Sequence, residues 1–296
     1  MMSSPGDPVM LATQALRKSD CAELSRLFDA YPQLLRVPHP HSSDKSFLWS
    51  VVLGVIRNPT VVSTNMYGWI ESLGADLPLQ LNRSLLGAMS IQPEEVQALL
   101  DSGADPQWLP ENGITVLEHA AYRYWNGQCV DLIAARVQPR QSFWMGAALD
   151  DLPMMMQYVD RDGALSDSAR RNRPDFAAMS SMPSPTRPDA TDLEIKWEAF
   201  MLACMNHRPT TMDALLQLGV PIDYAQQGMN MLHWAVGNGR TDVAIALLER
   251  GANPDCKLRP TNSTAREMVT EFMRESPNAL LFAHVHALMA KSDGVQ

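Results

Sequence analysis

Few residues of this chain are spaced for catalysis. His39-Pro40-His41 and His284-Val285-His286 each bring two imidazoles close in sequence. Neither pair has a cysteine or carboxylate at the usual zinc spacing, so no metal is expected and capping or surface histidines are the simpler reading. Glu118 and His119 are neighbours, but adjacent helix positions point in different directions and make no acid–base dyad. Cys21, Cys129, Cys204 and Cys256 are scattered without a C-x-x-C pair, the pattern of reduced thiols. No phosphate loop, dinucleotide fingerprint or nucleophile elbow occurs, and no cofactor is expected. The run Met154 to Met156 reads as soft core filling.

Binding chemistry is better represented. Tyr122-Arg123-Tyr124-Trp125 gathers the residue types that dominate binding hot spots, with the alternative that two of these aromatics bury between helices. Arg170-Arg171-Asn172-Arg173-Pro174 is an unusual basic cluster in an acidic chain. A solvated loop or ion pairs to nearby acids would explain it, and so would an acidic partner. Met182-Pro183-Ser184-Pro185-Thr186-Arg187-Pro188 follows, too proline-dense for helix or ladder.

The elements that position these residues repeat. Leu232-His233-Trp234-Ala235 precedes Gly251-Ala252-Asn253, with Leu232 and Gly251 19 positions apart. Phe200 to Gly219 and Trp144 to Gly163 have the same offset. Leu117-Glu118-His119-Ala120-Ala121 is a further copy, with Glu118 at the position of His233 and no exit glycine. Gly103-Ala104-Asp105 and Gly74-Ala75-Asp76 repeat the exit turn, behind apolar stretches at Val96, Leu99 and Leu100 and at Trp69, Ile70 and Leu73. An exit glycine supplies the left-handed residue that ends a helix. Val9 to Leu16 and Ala22 to Leu27 read as a helix pair with a start at Ser19-Asp20. Ser263 to Met268 reads as a worn repeat start, followed by a helix from Asn278 to Met289.

This pattern resembles the ankyrin repeat, a helix-turn-helix unit of about 33 residues with the motif T-P-L-H-x-A. The resemblance implies an all-α ankyrin-repeat solenoid of seven or eight helix pairs with short hairpin loops. It implies that His233 hydrogen-bonds loop and helix, and that Trp144, Phe200 and Leu232 occupy equivalent buried sites. Residues 1–45 would form an N-terminal cap, 46–165 repeats, 166–192 an inserted Arg/Pro-rich loop, 193–256 repeats and 257–296 a C-terminal cap. The 56 positions from Gly163 to Gly219 exceed one repeat, which places the insertion there. The insertion reads as an extended loop, and deleting 168–188 is expected to leave the fold intact. The run Phe47 to Ile56 fits a buried repeat helix.

Ankyrin grooves bind partners through first-helix ends and hairpin tips. The resemblance therefore implies a partner-binding set of Tyr122, Arg123, Tyr124, Trp125, Glu111, Asn112, Gln226, Gln227, Trp234 and Asn238.

The chain has 296 residues, 46% of them hydrophobic, and a formal net charge of −9. Its apolar content supports folding, and a solenoid of this length needs no division into globular domains. The negative charge argues against nucleic acid and against anionic membranes. No apolar run reaches the roughly 20 residues of a spanning helix, and no secretory signal opens the chain. The expectation is a monomer without catalysis of its own, cytoplasmic or delivered into a host as an effector, that binds a protein partner by its concave face. An inhibitor or immunity protein for a basic enzyme is the alternative. An enzyme with a site near the inserted loop is a third.

Overall fold

Short apolar helices between turn residues run through the chain. The computed structural model describes residues 8–17, 20–36, 38–39, 42–46, 77–89, 92–174, 176, 190–225, 229–257, 262–275 and 279–291. They fall into two units, Met1–Leu109 and Pro110–Gln296.

In the first unit, α1 (Pro8–Arg17) packs with α2 (Cys21–Ala30). The Asp20 carboxylate accepts from the Glu23 N–H at 3.0 Å and caps α2 where the sequence places a start. A 3-10 turn (Pro32–Arg36) leads to a small antiparallel hairpin, β1 (Pro38–His39) with β2 (Ser42–Ser46). A second pair follows, α3 (Leu77–Ala88) and α4 (Pro93–Asp101). It ends at Gly103, where the Ala104 N–H donates to Leu99 O at 3.0 Å. The expected turn at Gly74-Ala75-Asp76 and the run Phe47 to Ile56 lie outside the described residues.

The second unit stacks five helix pairs. These are α5 (Val116–Arg123) with α6 (Gly127–Ala134), and α7 (Phe143–Leu149) with α8 (Leu152–Met156). A short helix α9 (Asp167–Arg171) precedes α10 (Asp192–Met205) with α11 (Pro209–Gln217). The last two are α12 (Met231–Gly237) with α13 (Thr241–Glu249), and α14 (Ala265–Glu275) with α15 (Ala279–Lys291). The first helices pack in chain order, α5 on α7, α7 on α10, α10 on α12 and α12 on α14. Trp144, Phe200 and Leu232 are each buried within this column.

In the second unit the first helix of every pair begins at a small polar residue that holds the third residue after it. Asn230 does so for α12, accepting from the His233 N–H at 3.1 Å. Three starts replace the histidine by glutamate and close a reciprocal box: Thr115 with Glu118, Thr191 with Glu194 and Thr264 with Glu267. Glutamate reaches back to the start N–H, so the first turn is closed without an imidazole. Ser142 caps α7 alone.

The box at Thr191 starts α10 at Asp192, and the helix runs 14 residues, through the Phe200 anchor of the repeat spacing. Every residue from Ile195 to Met205 is buried, Lys196 and Glu198 among them. Second helices end as expected at Gly219 and Gly251, both with positive φ. The N–H groups of Val220 and Ala252 donate five residues back, to Leu215 O and Leu247 O.

Candidate protein interface

Tyr122 and Arg123 end α5, and Tyr124 and Trp125 open the turn that leads to α6. It is tied to pairs distant in sequence. Asn206, at the end of α10, donates its side-chain N–H to Ala121 O at 2.8 Å. Arg208 donates to Gly127 O at 3.1 Å and to Ala148 O at 2.8 Å. Arg240, after α12, donates to Trp125 O and to Met205 O. The turn thus reaches the ends of the third and fourth first-helices. Gly127 permits it: a Cβ there would lie 2.2 Å from the Asn206 carbonyl oxygen. This contact sets the backbone of Tyr124 and Trp125 in a fixed place.

The four side chains of the segment separate. Tyr122 is buried, 1% exposed, against Phe176 with ring centroids 5.9 Å apart. Burial pushes its phenol well above the usual range, and a Ser142 hydrogen bond offsets part of this. Tyr122 therefore offers no contact surface and takes the buried alternative, because the inserted segment supplies a ring to cover it. Arg123, Tyr124 and Trp125 are half-buried. The Arg123 guanidinium lies over the Tyr124 ring, 5.7 Å from its centroid. Burial raises the Tyr124 phenol, and Arg123 lowers it in part.

Among the remaining expected residues, Glu111 and Asn112 are exposed at a hairpin tip. The Asn112 side chain is used locally: its oxygen accepts from the Ile114 N–H at 3.1 Å, and its nitrogen lies 3.4 Å from His119 Nε2. Trp234 is half-buried, at a level of the stack where α10 carries the buried Leu202. Asn238 is exposed and donates back to Trp234 O at 2.8 Å, as Asn206 does to Leu202 O. The Arg240 link brings the Tyr124–Trp125 turn to the end of α12 that carries Asn238, 113 positions away in sequence. Gln226 and Gln227 lie outside the described residues.

His233 has the role its motif implies on one side. Its Nδ1 is 2.6 Å from Asn230 Oδ1 at the helix start. Its buried Nε2 has no regular hydrogen bond, and the backbone of Ser263 and Cys256 in the next hairpin lies near the ring. Burial lowers its basicity, and that backbone opposes the shift. His119 is lowered by burial and then by Arg123.

Two arginines of the cluster pair with acids of α10, and Arg171 is exposed. Arg170 pairs with Asp192 and donates to Ala190 O at 3.1 Å. Arg173 donates its Nε to Glu198 at 3.1 Å, with a second bond from its terminal nitrogen. Glu198 is fully buried, and its carboxylate also accepts from Trp144 Nε1 at 3.2 Å. A buried carboxylate without such partners would cost several kcal/mol, of order ~3–5. The described part of the insertion is therefore packed rather than extended, with α9 started by Ser166 and Phe176 in the core. The proline-rich stretch 182–188 lies outside the described residues. The sequence held one clue, the acids Asp192 and Glu198 on the helix that follows.

Among the described residues, no group of three or more His, Cys, Asp and Glu is placed to hold a metal ion. None of their helices is long and apolar enough to cross a membrane. Residues 165–257 match the family model for ankyrin repeats, in three copies. This region is built of ankyrin repeats, and such repeats generally mediate protein–protein interaction and are typically non-catalytic. None of the curated proteins matches the chain.

Proposed function

We propose that the protein is a non-catalytic interaction module that binds another protein through the concave face of its second unit. The surface comprises Arg123, Tyr124 and Trp125 with Trp234 and Asn238, and the hairpin tip at Glu111 and Asn112. Gln226 and Gln227 belong to the same proposed set. The observation that carries this reading is the clamped turn: Asn206, Arg208 and Arg240 hold the backbone from Ala121 to Gly127. Half-buried aromatic and guanidinium groups on a fixed backbone lose little entropy on binding, which is what an anchor requires. An effector role and a cytoplasmic address belong to this reading as well.

Affinity purification from the native organism, with mass spectrometry of the eluate, tests it. A partner retained in stoichiometric amount by the wild type and lost from a Trp125→Ala/Trp234→Ala variant of unchanged melting temperature is the expected result. A partner held equally by both proteins would move the interface elsewhere, and fractionation of the same cells reads the location.

A further inference from the structure

Among the described residues of the second unit, six arginines are half-buried: Arg123, Arg173, Arg208, Arg240, Arg250 and Arg266. Five hold a carboxylate. Arg173 holds Glu198, Arg208 holds Asp131, Arg240 holds Asp242, Arg250 holds Asp213 and Arg266 holds Asp255. The Arg123 side chain has no ion pair and no hydrogen bond among the described residues; its contact is the Tyr124 ring. Glu118, the one acid on α5, is engaged by the N–H and hydroxyl of Thr115. Partial desolvation of a guanidinium is unfavourable unless an anion compensates it, and this stack supplies that anion at every comparable arginine but one.

We propose that Arg123 is the anchor for a partner's carboxylate, presented by an acidic residue beside an apolar one on an extended segment of a protein. This rests on the interaction reading above and specifies its partner. The guanidinium keeps a planar donor fork for two carboxylate oxygens while one face rests on Tyr124. Trp125, next in the chain, offers the apolar neighbour a flat surface. The chain as a whole is acidic, so an acidic segment is selected by this local pairing and not by long-range steering.

The test uses the full chain as bait for a phage-displayed library of random peptides. The enriched peptide is synthesised with a fluorescent label, and its Kd is read by anisotropy. The expected peptide carries an acid beside an apolar residue. Changing that acid to its amide weakens binding to the wild type by about tenfold or more. Arg123→Gln weakens the parent peptide as much, and the two changes together weaken it no further. Arg123→Lys, which keeps the charge and loses the fork, falls between. The peptide-side change leaves the protein untouched, so a folding defect in Arg123→Gln does not decide the result. If peptides enrich but Arg123→Gln binds them like wild type, with affinity lost only in Trp234→Ala, the anchor is wrong and the interaction reading stands. If no peptide enriches, both fall.

Discussion

The indole Nε1 of Trp144 donates to the carboxylate of Glu198 at 3.2 Å, and that carboxylate is completely buried. Arg173 reaches the same group from the inserted segment. One charge thus joins the second helix pair, the insertion and the third pair. The insertion breaks the repeat period without breaking the stack, because it carries the counter-charge for a residue inside it.

Arg173→Ala should therefore destabilise the second unit by about 3–5 kcal/mol, since it strands Glu198 without its cation. Arg173→Ala/Glu198→Leu should regain part of that loss by replacing the charge with an apolar group. Urea unfolding measures both. Deletion of 168–188, harmless on the sequence reading, should behave at least as badly as Arg173→Ala because Phe176 goes with it. Equal midpoints for the deletion and the wild type would take the insertion out of the core.

Tyr122 and its neighbours should separate by mutation. Tyr122→Ala opens a cavity beside Phe176 and should cost about 3–5 kcal/mol. Tyr124→Ala and Trp125→Ala, at half-buried positions, should melt closer to wild type and act on partner binding. Thermal unfolding of the three variants side by side gives the order, and a Trp125→Ala melting as low as Tyr122→Ala would make Trp125 a core residue.

Gly127→Ala should cost more than Gly251→Ala. At Gly127 the new methyl meets the Asn206 carbonyl at 2.2 Å, so the turn must shift against its clamps, an overpacking cost of about 1–3 kcal/mol or more. At Gly251 the space is open, and the cost is the backbone strain of φ +87 alone, roughly 1–2 kcal/mol. Chemical denaturation of the two variants checks the ranking.

Acidification should weaken the second unit in the histidine range. Burial holds His119 and His233 below the ordinary histidine value, so the unfolded chain takes up protons first. Their contribution is complete above about pH 6.5 and is lost as pH falls through that value toward the lower folded ones. Asp223, raised by burial, acts in the opposite sense only near the carboxylate range, about pH 4. The melting temperature should drop between about pH 7.5 and 5.5. His233→Gln should flatten the drop, and an unchanged slope in that variant would remove His233 as its cause.

The sequence by itself determined the parts whose causes are local. The helix start at Asp20, exit turns at Gly219 and Gly251, and the buried column of Trp144, Phe200 and Leu232 each follow from residues within one turn or one repeat. The tertiary structure alone decided what the odd segments do. That Arg173 faces Glu198 across 25 positions, and that Arg240 reaches Trp125 across 115, depends on how the pairs stack. Burial of Tyr122 beside a half-exposed Arg123 depends on Phe176 arriving from the insertion. Composition names an arginine or a tyrosine as an anchor, but the neighbours brought by packing fix whether its charge is already neutralised and its ring already covered. The fold spends most of its half-buried arginines on its own acids and leaves Arg123 over Tyr124.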